Sequence, residues 1–95
     1  MNVDDAALVR RLADSRDEDA FRELYARHAP GIYGFIRRLT GRSGDPSVVM
    51  HETWIRALRD LHLFRGQCAF PAWIAMAGRV ADRLTFRRRN GGNGG

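Results

Sequence analysis

Residues 64–89 read FRGQCAFPAWIAMAGRVADRLTFRRR, a loop followed by a helix with two different faces. Phe70, Trp73, Ile74, Ala77, Val80, Ala81 and Leu84 recur at spacings of three and four, the period of an amphipathic helix with one buried stripe. Arg79, Arg83 and Arg87 recur every four residues and form a row along another face. Arg88 and Arg89 carry the charge past the last apolar residue. Pro71 suits a first helical turn, where the missing N–H would have no intrahelical partner. Guanidinium forks bind phosphate bidentately and stack on bases. The same row is equally compatible with a solvated helix end, where cations are favoured by the helix dipole.

Working back from that stretch, the spacing predicts three more helices. Asp4 or Asp5 can cap a first one carrying Ala7, Leu8 and Leu12. Asp17 can cap a second, with Phe21, Leu24, Tyr25 and His28 on one face. Pro30-Gly31 interrupts that pattern, which resumes through Ile32, Phe35, Ile36 and Leu39; one kinked helix or two short ones would both fit. Gly41 ends it. Asp45 caps the next helix, with Pro46 at its first position and Met50, Trp54, Ala57, Leu58 and Leu61 as its stripe. Val48 and Ile55 lie off that stripe, so this helix touches either two neighbours or a partner. A loop around residues 62–69 pivots on Gly66. Strand alternation and internal repeats are absent from the sequence. The expected fold is all-α, a small bundle of three main helices plus a short N-terminal helix over residues 1–89, with 90–95 as a flexible Gly/Asn tail or linker start.

Ninety-five residues allow one small domain. No apolar run approaches the ~18 residues of a membrane span, and the start of the chain does not read as a signal peptide. Cys68 is the single cysteine, which excludes an internal disulfide and suggests a reducing cytoplasm. His28, His51 and His62 are too scattered to build a metal site with it, and no cofactor motif is present. His51-Glu52-Thr53-Trp54 starts like a zinc-protease helix, but Ile55 stands where the second His would be needed. An enzymatic role finds no constellation to support it.

The net charge is +5, and every basic side chain is Arg. Up to Pro30, Asp4, Asp5, Asp14, Asp17, Glu18, Asp19 and Glu23 outnumber the arginines. Beyond it, Asp45, Glu52, Asp60 and Asp82 face a clear excess of arginine. An acidic head and a basic body suggest an anionic partner for the body. Aromatics and arginines interleave from Trp54 to Phe86, as in proteins that hold single-stranded nucleic acid, although Phe70 and Trp73 fall on the core stripe.

The order of motifs resembles region 2 of bacterial sigma factors of the extracytoplasmic-function type. The matching segments are AFRELYARHAPGIYGFIRRLTG (20–41), DPSVVMHETWIRAL (45–58), FRGQCAFPAWI (64–74) and the Arg-rich end. The resemblance implies a helical domain that binds the clamp helices of core RNA polymerase. It also implies recognition of the promoter −10 element, with a non-template-strand base flipped out near the loop. The family's D-L-V-Q-E-T-F motif falls on residues 48–54, with Glu52 kept, Val48 in place of the acidic residue and His51 in place of Gln. Phe64-Arg65-Gly66 and the Phe70–Trp73 spacing are intact. Arg79-Val80 replaces an Arg-Asn pair, and Leu84 stands where an Asp is usual.

The resemblance thus implies polymerase contacts at His51, Glu52 and Arg56. It implies DNA contacts at His62, Arg65 and Gln67 in the loop and at Arg79, Arg83 and Arg87 on the last helix. The partners expected are core RNA polymerase, the non-template single strand of promoter DNA and an anti-sigma factor, with no membrane. The family's second helical domain, which reads the −35 element, would follow a linker such as the Gly/Asn segment; the chain reads as an excised domain or a naturally short protein. A rival expectation is an interaction module that keeps the fold but binds only a regulator.

Overall fold

The computed structural model describes residues 3–42 and 44–93, with side chains up to Arg88. Helix α1 spans Asp5–Ser15, α2 Glu18–Thr40, α3 Pro46–Arg59 and α4 Phe70–Asn93. A single 3-10 turn, Leu61–Leu63, follows α3. The described residues contain no strand, so the chain is the all-α bundle the spacing predicts.

Three aspartates start three helices. The Asp4 carboxylate accepts from the Ala7 N–H at 2.9 Å, Asp17 from Asp19 and Ala20 at 3.0 and 3.2 Å, and Asp45 from Ser47 at 3.0 Å. Each pairs backbone donors that have no carbonyl partner in the first helical turn. Asp17 also receives Arg11 at 2.9 Å. That hydrogen bond, together with the backbone donors, holds its carboxyl below the ordinary value.

Of the two arrangements open at Pro30, the structure has the continuous helix. Pro30 and Gly31 are both exposed. Pro30 withdraws the N–H that would bond one carbonyl a turn earlier, and on the solvent side water can take its place. At the other end Gly41 has φ 62°, a left-handed conformation that L side chains rarely adopt, and stops α2. Residues 90–93 are helical, where composition predicts the start of a flexible tail. The ladder from the preceding turns runs on through them, although each Gly costs about 1 kcal/mol relative to Ala in a helix.

The core lies where α2, α3 and α4 meet, with α1 laid against α2. Leu24, Ile36 and Ile74 are fully buried within it, and Leu8, Val9 and Leu12 bring α1 into it. Trp54 is only 6% exposed and stands at the seam. Its ring lies 5.9 Å from Phe21, 5.0 Å from Tyr25 and 6.5 Å from Phe70. Gly78 faces Ile36 and Thr53, and a Cβ there would meet both at 3.6 Å, so α4 sits close to α2 and α3 at this point.

The predicted stripe of α4 is too broad. Phe70, Ile74 and Ala81 are buried, but Trp73, Ala77 and Leu84 are half-buried and Val80 is exposed. Thr85 takes the place expected of Leu84, its hydroxyl donating to the Ala81 carbonyl at 2.9 Å. Thr53 is buried in the same way, donating to the Val49 carbonyl at 2.6 Å. A threonine whose hydroxyl is satisfied by its own helix presents only its methyl to the core.

Candidate nucleic-acid and polymerase faces

The loop between α3 and α4 is fixed at both ends. Phe64 packs on α4, with its ring 5.7 Å from Phe70 and 5.2 Å from Trp73. Gly66 makes the turn at φ 77°. The Gln67 side-chain carbonyl accepts the Arg65 N–H at 2.7 Å, and its amide reaches the Leu63 carbonyl at 3.5 Å. Gln67 is therefore occupied in closing its own loop. His62 lies on the 3-10 turn rather than in open loop. His62, Arg65 and Gln67 are all exposed at this end of α4.

Arg79, Arg83 and Arg87 are exposed along α4, one helical turn apart. The Arg79 guanidinium sits 5.6 Å from the centre of the Phe35 ring, a cation–π contact that orients it against α2. Among the described residues no carboxylate pairs with any of the three. Phe64 anchors the loop to the first turns of α4, the helix that carries this row further along.

The set on α3 divides between faces. His51 is exposed and lines a groove of about 760 Å³ between α2 and α3, together with Tyr25, Tyr33, Met50, Trp54 and Ile55. Glu52 is half-buried on the outward face. Arg56 is half-buried as well, and its Nε is shielded from solvent without an acceptor among the described residues. Val48 is 49% and Ile55 46% exposed. Both border neighbouring helices while staying half open to solvent, Ile55 in the groove against α2 and Val48 in a second groove with Leu39, Thr40, Thr85 and Phe86, so the two readings of their spacing are compatible.

Sequence reasoning missed the exposed apolar residues of α4. Met76 is 52% and Val80 44% exposed, on the same outward side as the arginines. The signal was present, since Met76 and Val80 are one turn apart and Arg83 follows Met76 by two turns. Isolated His28 proves structural. Its Nε2 lies 2.8 Å from the Asp5 carboxylate, which also takes Arg27 at 3.1 Å, so α1 is tied to α2. No group of three metal-ligating side chains occurs among the described residues, and no described helix is long and apolar enough to cross a membrane.

The helical bundle carries an arginine row without described carboxylate partners on the helix that follows a braced loop, and comparisons with known sequences say which class of protein has this arrangement. Residues 24–90 match the Sigma-70 region 2 family, and the chain belongs to that family. It is 37% identical over 70 residues to the ECF RNA polymerase sigma-E factor of Haemophilus influenzae, covering 74% of this chain and 36% of that protein. It is 36% identical over 70 residues to the protein of that name from Escherichia coli (strain K12), covering 74% of this chain and 36% of that one. It is 26% identical over 72 residues to the RNA polymerase sigma factor CarQ of Myxococcus xanthus, covering 76% and 41%. The chain thus spans well under half the length of these curated relatives. No solved structure matches it significantly.

Proposed function

We propose that the chain serves as the region-2 domain of an extracytoplasmic-function sigma factor in transcription initiation. The α3 face, with its groove against α2, receives the clamp helices of core RNA polymerase. The α4 face and its loop hold the non-template strand of the promoter −10 element and help to open it. The observation that carries this reading is the row Arg79, Arg83 and Arg87, which no described carboxylate neutralises, beside a loop whose Phe64 rests on α4. Backbone phosphate is the partner such a row fits.

The polymerase side rests on chemistry as well as on family. His51 and Glu52 supply polar contacts, and Val48 and Ile55 supply apolar area on the same outward face, so a helix can be packed there and its register fixed. An anti-sigma regulator would act by covering this α3 face. The role implies a cytoplasmic chain that performs no chemistry itself.

Binding of the chain to purified core RNA polymerase tests the α3 assignment. Glu52→Ala should weaken binding while helical content stays unchanged. Val48→Asp, which adds the acidic group the family carries at that position, should strengthen it. If neither substitution changes core binding, α3 is not the polymerase face.

A further inference from the structure

The outward side of α4 is neither uniformly cationic nor uniformly polar. Met76 and Val80 are exposed one turn apart, and Arg83 and Arg87 follow them on the same side. Arg79 flanks this strip, turned toward Phe35. Trp73, half-buried, begins the strip one turn before Met76, and its ring lies 5.2 Å from Phe64 of the loop. Single exposed apolar side chains are ordinary on protein surfaces. Here two of them stand among three arginines that have no described carboxylate partner. A strand held through its phosphates along Arg83 and Arg87 lies on the side of α4 that also carries Met76 and Val80.

Those two side chains offer no hydrogen-bond donor and, at most, a weak thioether acceptor. Gln67, the one side-chain amide of the loop, is spent on Arg65 and Leu63. Neither Met76 nor Val80 can read a base edge by hydrogen bonding, and the arginines of the strip are taken up by phosphate in the proposed arrangement. Contact with an apolar group is well provided for, and among the DNA bases only thymine carries one, its 5-methyl. We infer that Met76 and Val80 are specificity-determining residues that select thymine in the bound strand by contact with its methyl group. This inference rests on the single-strand reading of the α4 face.

The test is a fluorescence-anisotropy titration of the chain with labelled single-stranded oligonucleotides. One series replaces thymine by deoxyuridine, position by position, which removes only the methyl. A second replaces cytosine by 5-methylcytosine. Burial of one methyl corresponds to a change of about three- to four-fold in affinity. At one position the thymine oligonucleotide should bind tighter than its deoxyuridine counterpart by that factor, and 5-methylcytosine tighter than cytosine. Val80→Asn and Met76→Gln, both at exposed positions, should shrink these differences, with circular dichroism reporting that the helices persist. Arg83→Ala should weaken thymine and deoxyuridine oligonucleotides equally.

Equal affinity for thymine and deoxyuridine at every position, in a chain that binds single strands, overturns the inference and leaves the proposed function standing. Absence of single-strand binding even at low salt overturns both. A dimer that forms without DNA and is lost in Met76→Gln assigns the strip to a second copy of the chain and also overturns the inference.

Discussion

The two ends of the molecule use arginine in opposite ways. Along α1 and α2, Arg11 meets Asp17 at 2.9 Å, Arg27 meets Asp5 at 3.1 Å and Glu23 at 3.2 Å, and Arg22 lies 3.9 Å from Glu18. Along α4, Arg79, Arg83 and Arg87 meet no described carboxylate, and Arg79 leans on a ring instead. Charge at the acidic end is largely consumed in holding α1 to α2 and in starting helices. Charge at the basic end has no described carboxylate partner. The same residue type thus fastens the fold in one region and stands unneutralised in the other, where the proposed function gives it a phosphate partner.

The comparison requires that both ends belong to one cooperative unit, and Trp54 tests this with the largest effect. Its ring touches Phe21 and Tyr25 of α2 and Phe70 of α4. Trp54→Ala should cost about 3–5 kcal/mol in urea unfolding, with fluorescence from Trp73 and helical circular dichroism lost together. Separate transitions would mean that two independent units, rather than two uses of charge in one fold, are being compared.

Next in size is the cap of α3. Asp45→Ala leaves the Ser47 and Val48 N–H groups without their side-chain acceptor and should cost about 1 kcal/mol. The helix that carries His51 and Glu52 begins there, so polymerase affinity should fall along with stability. A stability loss with unchanged polymerase binding would separate the α3 face from its cap.

Arg22 provides the contrast. Its pairs with Glu18 and Asp19 are long and exposed, at 3.9 and 4.0 Å. Arg22→Ala should alter stability by no more than about 0.5 kcal/mol and leave single-strand affinity alone. A marked loss of DNA binding in Arg22→Ala would place nucleic acid at the acidic end and dissolve the distinction.

The smallest effect is with pH. The hydrogen bond from Arg11 lowers the carboxyl of Asp17 in the folded chain, so the unfolded chain binds the proton more readily. The stabilisation is present above the unfolded carboxylate range and disappears as pH falls through the lower, folded value. Acid unfolding followed by circular dichroism should therefore begin at higher pH in Arg11→Ala than in the parent chain.

Much of this arrangement is legible in the sequence because capping and periodicity are local. Asp17 and Asp45 stand immediately ahead of their helices as caps, and Leu24, Ile36 and Ile74 fall where a 3.6-residue period demands. Position in the bundle is less legible. Val80 and Leu84 continue the apolar spacing of α4, yet the core contacts a narrower stripe, and which apolar residues lie inside it depends on where α2 and α3 approach. The close approach is at Gly78, whose lack of a side chain gives no signal to a pattern of apolar residues. Thr53 and Thr85 were hidden because they are polar by composition and apolar by contact. Pro30 could break or merely interrupt a helix, and its exposure decides between them. Of the candidate DNA residues, the arginine row stands bare as its spacing suggests. Gln67 is engaged by its own loop, which required knowing where the backbone of Arg65 and Leu63 turns.

The central claim, that the α4 row is held ready for a single strand, is tested most directly by titrating a non-template-strand oligonucleotide and its duplex at several salt concentrations. Extracting a base from duplex costs a few kcal/mol, so the single strand should bind tighter. Affinity should fall steeply with salt, and Arg83→Ala should lower affinity for all sequences and reduce the slope of log K against log salt by about 0.7, one single-strand phosphate contact. Arg22→Ala should leave the slope as it was. A chain that binds no single strand at low salt, or whose slope is unchanged in Arg83→Ala, would contradict the account.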